Sequence, residues 1–177
     1  MPGIAVRLLD GSEAAARADE LRAVHGEVYG QADDAALARR FRVQLRQPGF
    51  VLAEARHGGY LVGYASGMPL RPSTSWWENL TAPLAAEVTT EHAGRTFALT
   101  ELLVRAPWRR QGIAGSLHKL ILAGRPEERA TLTVSPRAAA AQSAFRTWGW
   151  RKVARTRGPG PEAPILDILV TDLGSRR

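Results

Sequence analysis

Cysteine is absent, which removes disulfides, thiolate metal sites and cysteine nucleophiles from the chemistry open to this chain. Lysine is almost absent too, Lys119 and Lys152 being the only two. The net charge of +7 and the pI near 10.9 are therefore carried mostly by guanidinium groups. Their planar fork suits phosphate and carboxylate oxygens, although a GC-rich genome also enriches arginine. No apolar run approaches the roughly 18 residues of a membrane span. The stretch from Met1 to Asp10 lacks the basic-then-apolar order of a secretory signal, so a cytoplasmic protein with no membrane partner is expected. His25, His57, His92 and His118 share no metal-ligand spacing; packing or surface roles are expected for them, and no metal.

The positive charge points to an anionic partner. Basic residues are spread along the chain, as Arg7, Arg39, Arg71, Arg110, Arg129 and Arg155 show, whereas nucleic-acid proteins concentrate them on one element. That spread argues against nucleic acid as the partner; phosphorylated cofactors are another kind of anion, and the charge permits such a partner without identifying it. With 45% hydrophobic residues in 177, one domain over residues 1–177 is expected to bury a core.

A first strand is predicted over Ile4 to Leu9, closed by Asp10, Gly11 and Ser12. A helix with Ser12 as its cap follows to Tyr29, on the spacing of Ala16, Leu21, Val24 and Val28, and Gly30 ends it. A second helix runs from Asp33 to about Arg46, capped by Asp33 or Asp34, with Leu37, Phe41 and Leu45 four residues apart. The period then changes to that of strands: Phe50 to Ala55 and Tyr60 to Ser66 read as a hairpin turning at His57-Gly58-Gly59. Pro69 to Thr96 is a long connection with one helical turn near Asn79 to Ala86, and loops of that length are often functional. Next come a strand from Thr96 to Val104, a helix from Gly112 to Ala123, a strand from Ala130 to Val134 and a helix from Arg137 to Trp148. Such β-α-β-α order implies a parallel pair inside a sheet that elsewhere pairs by hairpin, a mixed α/β architecture. After Trp150 the breakers Gly158-Pro159-Gly160-Pro161 lead to a last strand, Ile165 to Val170.

The chemistry concentrates in Leu102, Leu103, Val104, Arg105, Ala106, Pro107, Trp108, Arg109, Arg110, Gln111, Gly112, Ile113, Ala114 and Gly115, where a strand turns into a helix. A helix's first turn leaves backbone N–H groups unpaired, at the positive end of the peptide dipoles. Glycines at 112 and 115 let an anion approach the main chain, and Arg109 and Arg110 bring full charges. The dipole alone is worth roughly 0.3 to 1 kcal/mol, while each hydrogen bond to a charged group adds about 1.5 to 3 kcal/mol. Several donors together can reach the ~8 kcal/mol of micromolar binding.

In this order, Arg109-x-x-Gly112-x-Ala114 after Leu102-Leu103-Val104 resembles the acyl-CoA pyrophosphate loop of the GCN5-related N-acetyltransferase (GNAT) superfamily. The later strand Leu132-Thr133-Val134 and the aromatic pattern Phe145, Trp148, Gly149, Trp150 fit the same family, so the resemblance covers nearly the whole chain. Neither a nucleoside triphosphate loop nor a dinucleotide fingerprint is present. The resemblance implies a mixed, mostly antiparallel sheet of about seven strands with helices on both faces and a β-α-β-α acyl-CoA-binding core. It further implies acetyl-CoA (coenzyme A) as acyl donor and a small-molecule amine or protein amino group as acceptor. Relatives often dimerise, so a homodimer is an expectation.

An amine of pKa near 10.4 is uncharged in only about one molecule in 10³ at pH 7, so a base is needed. Glu101, which interrupts the apolar strand just ahead of the loop, is the first candidate; the alternative is a plain ion pair with an arginine. Glu54 on the hairpin is the second candidate, and Asp167 on the final strand is a third, weighed against a structural role. Main-chain N–H at Leu103 or Val104 is where the family resemblance puts the donor to the thioester oxygen. Trp76, Trp77 and Glu78 in the long connection are candidate acceptor-binding residues, against the alternative that the tryptophans pin the loop. Two departures stand out: Phe145 replaces the tyrosine that serves many relatives as general acid, and Ala138 stands where asparagine is common. Ser135, Tyr60 and Tyr64 are substitutes between which the sequence does not choose. A catalytically weak acyl-CoA-binding sensor or interaction module is therefore kept as the alternative to an enzyme.

Overall fold

The computed structural model describes residues 3–30, 34–158 and 160–174. Asp33, one of the two expected helix caps, and Pro159 in the breaker cluster lie outside them. Seven strands form one sheet in the order β1-β2-β3-β4-β5-β7-β6, and the chain groups into two compact units, 1–68 with 99–125 and 69–98 with 126–177.

The first unit opens with β1 (Ile4–Asp10), α1 (Gly11–Ala15), α2 (Ala18–Tyr29) and α3 (Asp34–Leu45), followed by the hairpin β2 (Val51–His57) and β3 (Tyr60–Pro69). β1 pairs antiparallel with β2 from Ile4↔His57 to Asp10↔Val51, and β2 pairs with β3 across a two-residue turn. That turn needs positive φ at both positions, and Gly58 and Gly59 supply 55° and 84°. Leu9, Leu21, Val24, Leu37, Phe41, Leu52, Leu61, Tyr64 and Leu103 form one buried cluster. Fully burying a side chain such as Leu21 or Leu52 stabilises the fold by roughly 1.5–3 kcal/mol. The unit is completed by the later part of β4 (Thr96–Val104) and by α5 (Ile113–Leu122), whose Leu117 and Ile121 are buried and which packs on β1 and β2.

The second unit holds α4 (Ala86–Thr89), the start of β4, β5 (Arg129–Val134), α6 (Ala139–Thr147), β6 (Arg151–Arg157) and β7 (Ile165–Asp172). The expected parallel pair is present: Thr96, Phe97 and Ala98 of β4 face Arg129, Ala130 and Thr131 of β5, and the ladder ends at Ala98. β7 lies between β5 and β6, antiparallel to both. Trp77, Ile168 and Val170 form this unit's apolar cluster, with Trp76, Leu80 and Val88 against it. Arg129 is buried, bonded to Glu91 at 2.9 Å and to Thr96 Oγ1 at 2.9 Å, with its guanidinium 5.3 Å from the Trp77 ring.

Three expectations change. The single helix after β1 is two helices, and Asp10 and not Ser12 caps the first. The Asp10 carboxylate accepts the Glu13 N–H at 2.8 Å, and the Glu13 carboxylate accepts the Asp10 N–H at 3.2 Å, a reciprocal box that satisfies two orphan donors. The helix breaks at Ala16 and Arg17, where Arg17 turns to the buried Glu54. The helical turn in the long connection is Ala86–Thr89 rather than Asn79 to Ala86, since Leu80 instead bridges to Thr156. Finally β6 has no counterpart in the sequence reading: Arg151, Lys152, Arg155 and Arg157 give it the charged look of a loop, though such charges commonly protect an edge strand.

Asp10→Ala is expected to destabilise the protein by about 1 kcal/mol, while Ser12→Ala changes stability by no more than roughly 0.5 kcal/mol. Urea unfolding of both variants checks this, and the reverse ranking would contradict the assignment of the cap.

Candidate active site

The loop between β4 and α5 is held at its entrance by Arg105. The Arg105 N–H donates to Val62 O at 2.8 Å, its Nε donates to Leu61 O at 2.8 Å, and its guanidinium meets the Glu27 carboxylate at 2.9 Å. A short 3-10 turn, Ala106–Trp108, follows, and Arg109 Nε folds back onto Val104 O at 3.0 Å. The chain then passes through two left-handed residues, Arg110 at φ 61° and Gly112 at φ 79°. Among the described residues, Arg110 is the only non-glycine with positive φ, a conformation that strains a side-chain-bearing residue and collects at functional sites. Gly112 caps α5 without any side-chain hydrogen bond, and a Cβ placed there would meet nothing within 4 Å. The backbone angle and not crowding therefore favours glycine at 112, and a side chain there would point into open space. The first main-chain donation beyond the cap is Ser116 N–H to Gly112 O at 3.0 Å, so the first-turn amides of Ile113, Ala114 and Gly115 are the ones the helix cannot satisfy itself. Arg109 and Arg110, neither paired with a carboxylate among the described residues, thus stand at the positive end of a ten-residue helix, an arrangement that suits an anion.

Just before this loop, Glu101 projects from β4 with its side chain 21% exposed and Oε1 3.5 Å from His25 Nε2 of α2. No arginine pairs with it among the described residues. The neighbouring groups are tyrosines: the Glu101 charge acts on the hydroxyls of both Tyr29 and Tyr64. Burial, then the Glu101 and Tyr29 charges, push the Tyr64 pKa strongly upward. The Tyr29 pKa is pushed up to about 12 by dehydration and then by Glu101, with Arg109 opposing. His25 Nδ1 and the Tyr64 hydroxyl are both buried with no hydrogen-bond partner in the protein, an arrangement that costs about 1–3 kcal/mol per group. His25 and Tyr29 went unnoticed as site residues in the sequence; their i, i+4 spacing on α2, which brings the rings to 4.8 Å, was the available signal.

Glu54 has a different setting. Its side chain is 4% exposed and meets Arg7 at 3.2 Å, Arg17 at 3.2 Å and Arg56 at 3.0 Å, so both oxygens are engaged by guanidinium groups.

Within the second unit, Trp77 is buried in the apolar cluster beneath Arg129, Trp76 packs beside it, and Glu78 is exposed. Phe145 is buried, with Trp148 and Trp150 each 5.7 Å away edge-on. Ala138 caps α6 with no side-chain bond. Asp167 is held by Gln142 at 3.0 Å, Lys152 at 3.2 Å and Arg155 at 3.2 Å beside a cavity of about 530 Å³. Burial alone would raise its pKa, but the hydrogen bonds from Lys152, Gln142 and Arg155 outweigh it and hold the carboxyl below the usual range.

A family model described as the acetyltransferase (GNAT) family matches residues 16–150, from the first helices through the glycine loop to Trp150. The chain belongs to the GNAT family. Solved structures of GNAT proteins share its fold at low identity. NAA60 of Arabidopsis thaliana in complex with acetyl-CoA is 14% identical, with a TM-score of 0.68 over 98% of this chain and 100% of that one. The ribosomal-protein-S18-alanine N-acetyltransferase of Escherichia coli is 13% identical, with a TM-score of 0.63 over 97% of this chain and 94% of that one. An aminoglycoside 6'-N-acetyltransferase complexed with coenzyme A is 12% identical, with a TM-score of 0.68 over 98% of this chain and 99% of that one. No curated protein matches the chain by sequence. The mixed seven-stranded sheet expected of a GNAT protein is the one observed.

Since the folded-state pKa of Asp167 lies below its unfolded value, its contribution to stability is present above about pH 4 and is lost as the pH falls through the folded value. Asp167→Asn should therefore be less stable than wild type at neutral pH and lose less on acidification from about pH 5 to about pH 2. Thermal unfolding of both proteins across that range checks it, and parallel curves would contradict the assignment.

Proposed function

We propose that this GNAT protein is an N-acetyltransferase that moves an acetyl group from acetyl-CoA to an amine of a small molecule or protein, by direct attack in a ternary complex within one domain spanning residues 1–177. The single observation that carries the reading is the loop itself: Arg109 and Arg110 beside a left-handed Gly112 that opens α5. Main-chain N–H groups from Gln111 to Gly115 and the two guanidiniums would hold the diphosphate, and Leu102 to Val104 would lie along the acyl arm. The bound donor supplies an activated thioester carbonyl. The chain supplies position and proton transfer.

Glu101 is the base in this reading. It is a carboxylate with one oxygen unpartnered, part-exposed and free of arginine, so it can receive the proton that an acceptor ammonium must lose. Glu54, wrapped by three guanidiniums, is left a structural role. The β4 main chain beyond Ala98 has no ladder with β5, which supports an N–H of Leu103 or Val104 as donor to the carbonyl oxygen. With cysteine absent, no thiolate nucleophile competes with direct attack. Of the three candidate acceptor residues, Glu78 has the exposure to meet a cationic acceptor, whereas Trp77 supports the fold. Solvent would protonate the leaving thiolate: a thiol of pKa near 8.5 leaves as thiolate at pH 7 at a cost of only about 2 kcal/mol.

A second reading, an acyl-CoA-binding sensor, is favoured by Phe145, which packs against Trp148 and Trp150 at the position where the family resemblance puts a tyrosine general acid. Turnover separates the two. Wild-type protein should release free thiol from acetyl-CoA with at least one member of a panel of primary amines and peptide N-termini, and Glu101→Gln should lower kcat by about 10² or more without changing acetyl-CoA affinity. Binding without thiol release across the panel would select the sensor. Gly112→Asp, which sets a carboxylate at the mouth of the loop, should weaken acetyl-CoA binding at least about tenfold in calorimetry, a loss of ~1.4 kcal/mol, with folding retained. Unchanged affinity would remove the loop from the cofactor site.

A further inference from the structure

We propose that His25 is a positioning residue for acetyl transfer: its Nε2–H anchors Oε1 of Glu101 so that Oε2 is presented to the acceptor ammonium. The proposal rests on the transferase reading above and adds to it a residue of α2, an element that reading does not use.

The geometry points this way in three steps. His25 lies 9% exposed, its ring 4.8 Å from Tyr29 and 6.1 Å edge-on from Phe41, so the imidazole has little freedom to turn. Its Nε2 is 3.5 Å from Glu101 Oε1. Its Nδ1 is buried with no partner. A histidine serving only to fill space is better replaced by an apolar side chain, because a buried nitrogen left unpaired is unfavourable. Here the unpaired Nδ1 is tolerated while Nε2 faces a carboxylate, which singles out that contact as the reason for the residue.

Glu101 needs such an anchor. Among the described residues it has no arginine or lysine to fix it, and the other groups around it are the Tyr29 and Tyr64 hydroxyls, with Arg40 and Arg109 acting on those tyrosines. A carboxylate held by one oxygen keeps the other aligned for a proton arriving from the acceptor nitrogen. The proton passes from that nitrogen to Oε2, the amine lone pair is freed, and His25 keeps its own proton throughout. Loss of alignment at a reacting group is felt in the rate of the chemical step more than in donor binding.

The test is a mutant cycle on steady-state kinetics. His25→Leu is expected to lower kcat at least tenfold with the KM for acetyl-CoA within twofold of wild type. His25→Gln, which keeps an N–H donor on a side chain of similar reach, is expected to stay within threefold of the wild-type kcat. In a Glu101→Gln background, His25→Leu should have no further effect on kcat, because the residue acts through Glu101. If His25→Leu does not fold, His25→Met, which keeps bulk and lacks a donor, is measured in its place. Unchanged kcat in the donor-free variant overturns the proposal. So does an undiminished tenfold loss on top of Glu101→Gln, or a His25→Gln protein as poor as His25→Leu. These results leave the transferase reading standing, whereas absence of thiol release by the wild-type chain overturns both.

Discussion

An α-helix cannot begin without leaving amide hydrogens unpaired, and α5 begins where, among the described residues, no side chain caps the first turn. Gly112 stands left-handed at the head of α5, offering no side chain to cap the first turn, and Arg110 two residues earlier is held in the same unusual region. A side-chain box caps α1 at Asp10 and Glu13, whereas α2, α4 and α6 begin without a side-chain cap as α5 does; what sets α5 apart is its left-handed cap glycine just after Arg109 and Arg110. The open start is also fixed in place. Arg105 ties the loop entrance to β3 and α2, while Leu117 and Ile121 bury the helix against β1 and β2. A rigid, unfilled, positive end is what preorganised recognition of an anion requires.

The two carboxylates offered by the sequence as bases show how setting decides chemistry. Glu54 sits opposite Arg7 in the β1–β2 register and also gathers Arg17 and Arg56, an arrangement that satisfies a buried charge and joins β1, β2 and the break between α1 and α2. Glu101 is left with a histidine on one side and tyrosine hydroxyls on the other, partly open to solvent. The first arrangement stabilises an ion; the second leaves one carboxylate oxygen without a partner among the described residues.

Much of this was legible in the sequence where one signal dominated. The glycine hairpin, the apolar β4 strand and the helix after Gly112 each follow a single clear period, and their boundaries agree with the structure to within two residues, except that β3 runs on from Ser66 to Pro69. Failures came where two signals competed. Ser12 and Asp10 are both good caps, and only the extended backbone of Asp10 with Glu13 three residues on decides between them. The positive charges of β6 hid a strand that is defined by pairing with β7 and not by its own composition. The setting of Glu101 was illegible for a different reason: His25, Tyr29 and Tyr64 are 37 to 76 residues away along the chain, brought in by the packing of α2 and by β3. No local pattern encodes that meeting.

The most direct test of the central claim is backbone amide mapping of the labelled protein by nuclear magnetic resonance as coenzyme A is added. The account predicts that the largest chemical-shift changes fall on the amides from Gln111 to Gly115. Saturable binding that leaves those amides unmoved would contradict it.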